Sequence, residues 1–369
     1  MKTTVRALAA GGLFLVLAAV LLAGVDFLLT DDIHSYSRVM LQELYASAGT
    51  IDTLFLGSSH CYRSVDPQQV DAALGSHSFN AGTSQQLPDG SYYLLREAAE
   101  QNDLQTVYLE LFYTGYGQSA SSDIPLACYL ITDYMRPTSP WRYEYLWEMG
   151  GLAAVPDLLV PARHAVADPQ NLPALWRAKL SDGYDPGSYA YVSYPEEGES
   201  YAGRGFVTNS TIAQYGFATV RDVDPEQPLS EFGWYNLQRI AAFCKEENIR
   251  LVLFCAPLPS GYLYNTPHYQ SYYDAISAFA EENELPFWDF SFYIDTERMH
   301  FSAEHFADAH HLSGAGAKEF TSALCDVIAR DAAGEDVSKL FFSTAEQKLT
   351  EAPDLTIFMK DVHLWNAAS

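Results

Sequence analysis

The sequence predicts an α/β fold: a three-layer, flavodoxin-like parallel sheet with an N-terminal transmembrane helix and an inserted aromatic-rich subdomain. Three observations carry this. Short unbroken apolar runs recur, amphipathic patterns of helical length separate them, and an uncharged stretch of about 19 residues opens the chain between Arg6 and Asp26. The rhythm of strand and helix breaks between residues 113 and 228, which marks the insertion.

Five runs read as buried parallel strands: Thr53 to Gly57, Ser78 to Gly82, Thr106 to Leu111, Ile249 to Ala256, and Pro286 to Asp289. Helical patterns cover Pro67 to Leu74, Tyr92 to Gln101, Leu229 to Glu247, Tyr269 to Asn283 and Ser313 to Ala332. Pro67 after Asp66 suits a first helical turn with an acidic N-cap, and Ser313 is placed to cap the last helix. A short helix within His34 to Thr50, apolar at Val39, Leu41, Leu44 and Tyr45, joins the N-terminal stretch to this domain. The chain therefore divides into an anchor (1–32), an α/β domain in two pieces (33–112 and 229–332), an inserted subdomain or lid (113–228) and a C-terminal extension (333–369) that includes Ile357 and Phe358.

The first stretch is close to the ~20 residues a helix needs to cross a bilayer. Lys2 and Arg6 precede it while Asp26, Asp31 and Asp32 follow, so the positive-inside rule leaves the remaining chain on the outer, extracytoplasmic side. Leu22-Ala23-Gly24 puts a large Leu where signal cleavage wants a small residue, which favours an uncleaved single-pass anchor. A net charge of -26, spread along the chain, argues against nucleic acid or an anionic membrane surface as a partner of the rest. Five cysteines without CxxC spacing indicate neither a structural zinc site nor a disulfide framework, and are expected as buried thiols.

The insertion is dense in aromatics: Tyr129, Tyr134, Trp141, Tyr143, Tyr145, Trp147, Trp176, Tyr184, Tyr189, Tyr191 and Tyr194. Packing accounts for most of them, and a stacking platform for sugar rings is the sharper alternative.

Candidate chemistry sits at two distant points. Leu54-Phe55-Leu56-Gly57-Ser58-Ser59 is an apolar run that stops at Gly-Ser-Ser, and Asp308-Ala309-His310-His311 leads into the last helix. In a parallel sheet functional groups gather at the carboxyl ends of the strands, so both points are expected on one rim. A serine is a weak nucleophile unless a base takes its proton and a third group orients that base; Ser59, His311 and Asp308 supply those roles. His300, Glu304, His305, Asp308 and His310 also form a histidine and carboxylate cluster, but at no defined metal-ligand spacing, so neither a metal nor another cofactor is expected.

These blocks resemble the SGNH/GDSL hydrolase superfamily over about residues 51 to 330: Gly57-Ser58-Ser59 is similar to its first block and Asp308-Ala309-His310-His311 to its last. The resemblance implies an SGNH hydrolase fold with Ser59 as nucleophile, His311 as base and Asp308 as its partner. It also implies an oxyanion hole from the backbone N–H groups of Ser59 and of Gly82 in Asn80-Ala81-Gly82. His310 makes a poorer match to the last block. The third block departs from the pattern: Leu109-Glu110-Leu111-Phe112-Tyr113 lacks the Asn that donates to the oxyanion, and removing one such donor typically costs about 100- to 1000-fold in rate.

The departure, the anchor and the Gly-Ser-Ser form together resemble the branch that acylates cell-surface polymers, in lipoteichoic-acid D-alanylation and alginate O-acetylation. That resemblance implies a membrane-anchored serine acyltransferase or esterase acting on O-acyl groups of a surface glycan or polymer. Its partners would be an acyl donor, a polymer acceptor and a membrane-bound O-acyltransferase. The alternative is a catalytically idle fold that serves as assembly partner of such an acyltransferase.

Overall fold

The computed structural model describes residues 2–30, 35–119, 124–159, 169–184, 198–212, 220–294, 299 and 301–351. Tyr189, Tyr191, Tyr194, His300, Asp31, Asp32, His34, Ile357 and Phe358 lie outside them. The chain opens with α1 (Lys2–Leu29) and α2 (Tyr36–Ala46), then runs β1 (Thr53–Leu56), α3 (Ser59–Tyr62), α4 (Pro67–Leu74), β2 (Ser78–Asn80), α5 (Pro88–Ala99) and β3 (Thr106–Glu110). The insertion carries α6 (Tyr113–Gly117), α7 (Leu126–Thr132), α8 (Pro140–Gly150), α9 (Val155–Leu159), α10 (Leu172–Lys179) and the strands β4 (Glu199–Gly203) and β5 (Phe206–Asn209). There follow α11 (Glu231–Glu246), β6 (Arg250–Cys255), α12 (Ser260–Tyr264), α13 (Tyr269–Glu282), β7 (Phe287–Asp289), α14 (Gly314–Ala332) and α15 (Ala345–Glu351).

All five predicted strands pair in parallel in the order β2-β1-β3-β6-β7, the flavodoxin-like arrangement. Alternate residues face opposite layers. Leu54, Leu56, Val107, Leu109, Leu251 and Leu253 enter one core cluster with α5, α11 and α13, whereas Phe55, Tyr108, Val252 and Phe254 enter the other with α4 and α14. Phe55 and Tyr108 are register partners and stack at 4.8 Å. Burying one such side chain is worth about 1.5–3 kcal/mol, so the five short strands hold through their two faces rather than through length. The predicted caps form: Asp66 accepts from Gln68 N–H, and Ser313 from Gly316 N–H.

Within Thr4–Leu29, α1 is long and apolar enough to cross a membrane, and none of its most apolar window is buried. The insertion grips its end: Lys179 Nζ donates to the carbonyls of Phe27 (2.7 Å) and Thr30 (2.6 Å), and Trp176 Nε1 to that of Leu28 (2.7 Å). The last carbonyls of a helix lack partners within it, and a lysine there satisfies both hydrogen bonding and dipole.

Among its described residues the insertion folds into short helices and the β4–β5 hairpin, which its aromatic-rich sequence did not announce. Its turn docks on the end of β2, where Asn80 N–H donates to Arg204 O at 2.9 Å. Gly205 (φ 83°) makes that approach feasible, since a Cβ there would lie 1.6 Å from the Asn80 carbonyl oxygen. Tyr129 and Tyr145 are buried, Tyr134 and Trp141 pack partly buried on the core, and Tyr143, Trp147 and Trp176 are exposed. All five cysteines are free and buried. The described part of the C-terminal extension docks through Phe341, which packs edge-on against Phe290 and Tyr293.

Candidate active site

Strand β1 ends at Leu56, beside Leu109 of β3, and these two strands flank the point where the order of the sheet reverses. Ligands of open α/β sheets bind at such a switch point. Gly57 turns the chain with φ 151°; a Cβ on it would fall 2.6 Å from Glu110 Cβ, so glycine is required by both conformation and space. Ser58 then caps α3 and Ser59 becomes its first residue.

The last block folds as a tight loop closed by a Phe306–Leu312 bridge and by Ala307 N–H donating to His311 O at 2.9 Å. Inside it Asp308 Oδ1 accepts the amides of His310 (3.0 Å) and His311 (2.8 Å), while Oδ2 lies 2.7 Å from His311 Nδ1. Burial works against charge on Asp308, but the hydrogen bond and charge of His311 and the His310 amide hold it well below the usual carboxylate range. An ionised carboxylate only accepts, so His311 Nδ1 carries the proton and Nε2 is free to accept from Ser59 Oγ–H, 2.7 Å away. Ser59, His311 and Asp308 are thus brought into one hydrogen-bonded line from opposite ends of the chain.

Arg63, from the end of α3, stands 3.7 Å from Asp308 Oδ2 and is hydrogen-bonded to Glu199 of the hairpin. Burial, and then the charge of Asp308, raise Glu199 to about 7.

A cavity of about 440 Å³ opens over this line, with Ser59, His310 and His311 in its wall beside Gln85, Phe112 and Tyr262. Gln85 takes φ 53°, an uncommon conformation for a non-glycine residue that clusters at functional sites. The aromatics picked out in the insertion do not line the cavity among the described residues; its rings are Phe112, Tyr116 and Tyr262.

Gly82 is placed otherwise than expected. Its N–H donates to Asn80 Oδ1 at 3.1 Å, and it is not among the described residues that line the cavity; Asn80 Nδ2 in turn donates to Cys61 O (3.0 Å) and Val65 O (3.1 Å). In this arrangement the Gly82 amide is not presented to an oxyanion. Ser59 N–H, at the first position of a helix, has no acceptor within that helix.

Two residues that sequence reasoning left without a role belong to the site. Glu110 is buried, pushed up to about 7 by burial against the opposing hydrogen bonds of Ser58, and its Oε2 accepts from Ser58 N–H (3.1 Å) and Oγ–H (3.0 Å). Its Oε1 has no hydrogen-bond partner among the described residues. His60 stacks on Phe112 at 3.6 Å and is kept neutral by burial and by the neighbouring His311, His310 and Arg63.

Of the histidines and carboxylates noted around His305, His305 itself is engaged elsewhere: Nε2 pairs with Glu319 at 3.2 Å and Nδ1 accepts from Ser302 N–H. Nitrogens of His60, His310 and His311 do lie within 4.8 Å of one another. Both nitrogens of His311 are already engaged, however, and His60 and His310 bond to each other at 3.0 Å.

No family model and no curated protein matches the chain. Among solved structures it is similar to a provisionally assigned acylhydrolase from Bacteroides fragilis NCTC 9343, at 10% identity and a TM-score of 0.37, over 79% of this chain and 94% of that one.

Proposed function

We propose that this chain is a membrane-anchored serine acyltransferase or esterase whose domain faces the extracytoplasmic side and acts on O-acyl groups of a surface glycan or polymer. The observation that carries the reading is the line Ser59 Oγ, His311 Nε2, His311 Nδ1, Asp308 Oδ2, with 2.7 Å at each contact, at the wall of a cavity. Ser59 Oγ attacks an acyl carbonyl as its proton passes to His311 Nε2; the imidazolium returns that proton to the leaving oxygen, and an acyl-Ser59 ester remains. A sugar hydroxyl or water, deprotonated by His311, then attacks the ester and restores Ser59. The backbone N–H of Ser59 supports the oxyanion. A membrane-bound O-acyltransferase is the expected source of the acyl group.

The test is a serine-directed phosphonate probe applied to the full chain in detergent. Labelling at Ser59 that disappears in Ser59→Ala and falls sharply in His311→Ala is expected; labelling unchanged in Ser59→Ala sinks the assignment. The engaged Gly82 amide and the absent third-block Asn favour a second reading, an idle assembly partner. Complementation separates the two, since a scaffold survives Ser59→Ala and an enzyme does not.

A further inference from the structure

Beside the line that ends at Ser59 runs a second one, and its direction can be deduced atom by atom. With Glu110 ionised, as it is above about pH 7, its Oε2 can only accept, and it takes both Ser58 N–H and Ser58 Oγ–H, so the hydroxyl proton of Ser58 is committed to the carboxylate. Ser58 Oγ then offers only lone pairs to His60, whose backbone N–H lies at 3.2 Å and whose Nδ1 lies at 3.4 Å. A proton on His60 Nδ1 leaves Nε2 as an acceptor, and its partner at 3.0 Å is His310 Nδ1, which must donate. His310 Nε2 is therefore an unprotonated lone pair.

That nitrogen has no hydrogen-bond partner among the described residues, although His310 lines the cavity next to Ser59 and His311. Burial, then the charge of His311, lower His310 to about 4 against the opposing pull of Asp308, so the ring stays neutral at ordinary pH. Phe112 and Tyr262 flank it at 5.8 and 5.4 Å between ring centres. The result is a fixed, neutral hydrogen-bond acceptor beside a nucleophile.

We propose that His310 Nε2 is an acceptor-hydroxyl subsite: it receives a hydrogen bond from one O–H of a polyol or sugar while a neighbouring hydroxyl of the same molecule meets the acyl group on Ser59. This deepens the acyl-enzyme reading and rests on it. The attacking hydroxyl gives its proton to His311, the new ester bond forms as the Ser59 Oγ–acyl bond breaks, and that proton goes to Ser59 Oγ. His310 moves no proton of its own. Water and monohydric alcohols cannot occupy both positions at once, so the subsite selects diols.

The experiment uses the full chain in detergent with p-nitrophenyl acetate as donor and glycerol and 1-propanol, at equal concentration, as competing acceptors. The ratio of glyceryl to propyl acetate does not depend on how much enzyme is active. His310→Phe is expected to lower that ratio about fivefold, the equivalent of one ordinary hydrogen bond. Ser58→Ala, which cuts the second line at its far end, is expected to lower it as well and serves if His310→Phe folds poorly. A chain that labels at Ser59 with phosphonate but keeps its ratio in both variants overturns the His310 assignment alone. A chain that never labels overturns the acyl-enzyme reading, and the subsite with it.

Discussion

Glu110 Oε2 holds both the amide and the hydroxyl of Ser58, at 3.1 and 3.0 Å, and through them sets the backbone from which Ser59 projects. Glu110→Ala strips two part-buried donors of Ser58 of their acceptor, where leaving a fully buried one unpaired would cost about 1–3 kcal/mol each. Loss of up to several kcal/mol is expected in the denaturation of that variant, with weaker phosphonate labelling at Ser59. Glu110→Gln keeps an acceptor and the shape, and should keep most of the stability.

The same pair gives a pH signature. Glu110 is raised to about 7 when folded, against roughly 4.3 for an unfolded glutamate, so between those values the folded chain binds the extra proton. Stability contributed by this group is therefore present in acid and lost as pH climbs toward and past 7. Relative to wild type, Glu110→Gln is expected to gain stability as pH rises from about 4 to 8, read as the difference between the two melting curves. A difference that shrinks over that range contradicts the burial argument.

Asp308 fixes which nitrogen of His311 carries the proton, so Asp308→Asn should preserve the fold and fail in chemistry. An amide can donate where the carboxylate accepted, and the wrong tautomer costs on the order of 10⁴ in rate in the comparable serine enzyme. Single-turnover acylation of Ser59 measures this. A variant within a few-fold of wild type would mean that Asp308 only shapes the loop.

Arg63 joins Asp308 to the hairpin through Glu199, whose side chain is fully buried. Removing one member of such a pair strands the other, at a cost of roughly 3–5 kcal/mol, whereas replacing both by apolar groups is often nearly neutral. Arg63→Met is thus expected to lower the melting temperature markedly, and Arg63→Met with Glu199→Leu to recover much of it. Equal melting points for the two variants would show that the pair contributes little.

How much of this was legible in the sequence depends on whether the signal was local. The five strands were, because each is a short apolar run whose two faces are both buried, and Ser59, Asp308 and His311 were, because each sits at the end of such a run or in a compact motif. Glu110 and His60 were not. A glutamate closing an apolar strand reads as an ordinary strand end, and its role appears only when Leu56 pairs with Leu109 and sets β1 beside β3. The hairpin left a readable trace in Gly203-Arg204-Gly205 between Tyr201 and Phe206, a turn flanked by β-forming residues, but the surrounding aromatics masked it. Gly82 misled for the opposite reason: the local motif fits, but Asn80 takes its amide.

The burial of every cysteine makes the orientation of the domain measurable. Cys61, Cys128, Cys244, Cys255 and Cys325 are all buried, so a membrane-impermeant maleimide should label the folded native chain weakly. Tyr235, on α11, is 55% exposed, and Tyr235→Cys supplies one accessible thiol on the α/β domain. With α1 as a single span whose basic residues, Lys2 and Arg6, precede it, the domain is expected outside, and intact cells should label this variant as strongly as broken ones. Labelling that requires lysis places the domain inside and removes the surface polymer from reach. Labelling of a soluble fraction in place of membranes would mean that α1 does not anchor the chain.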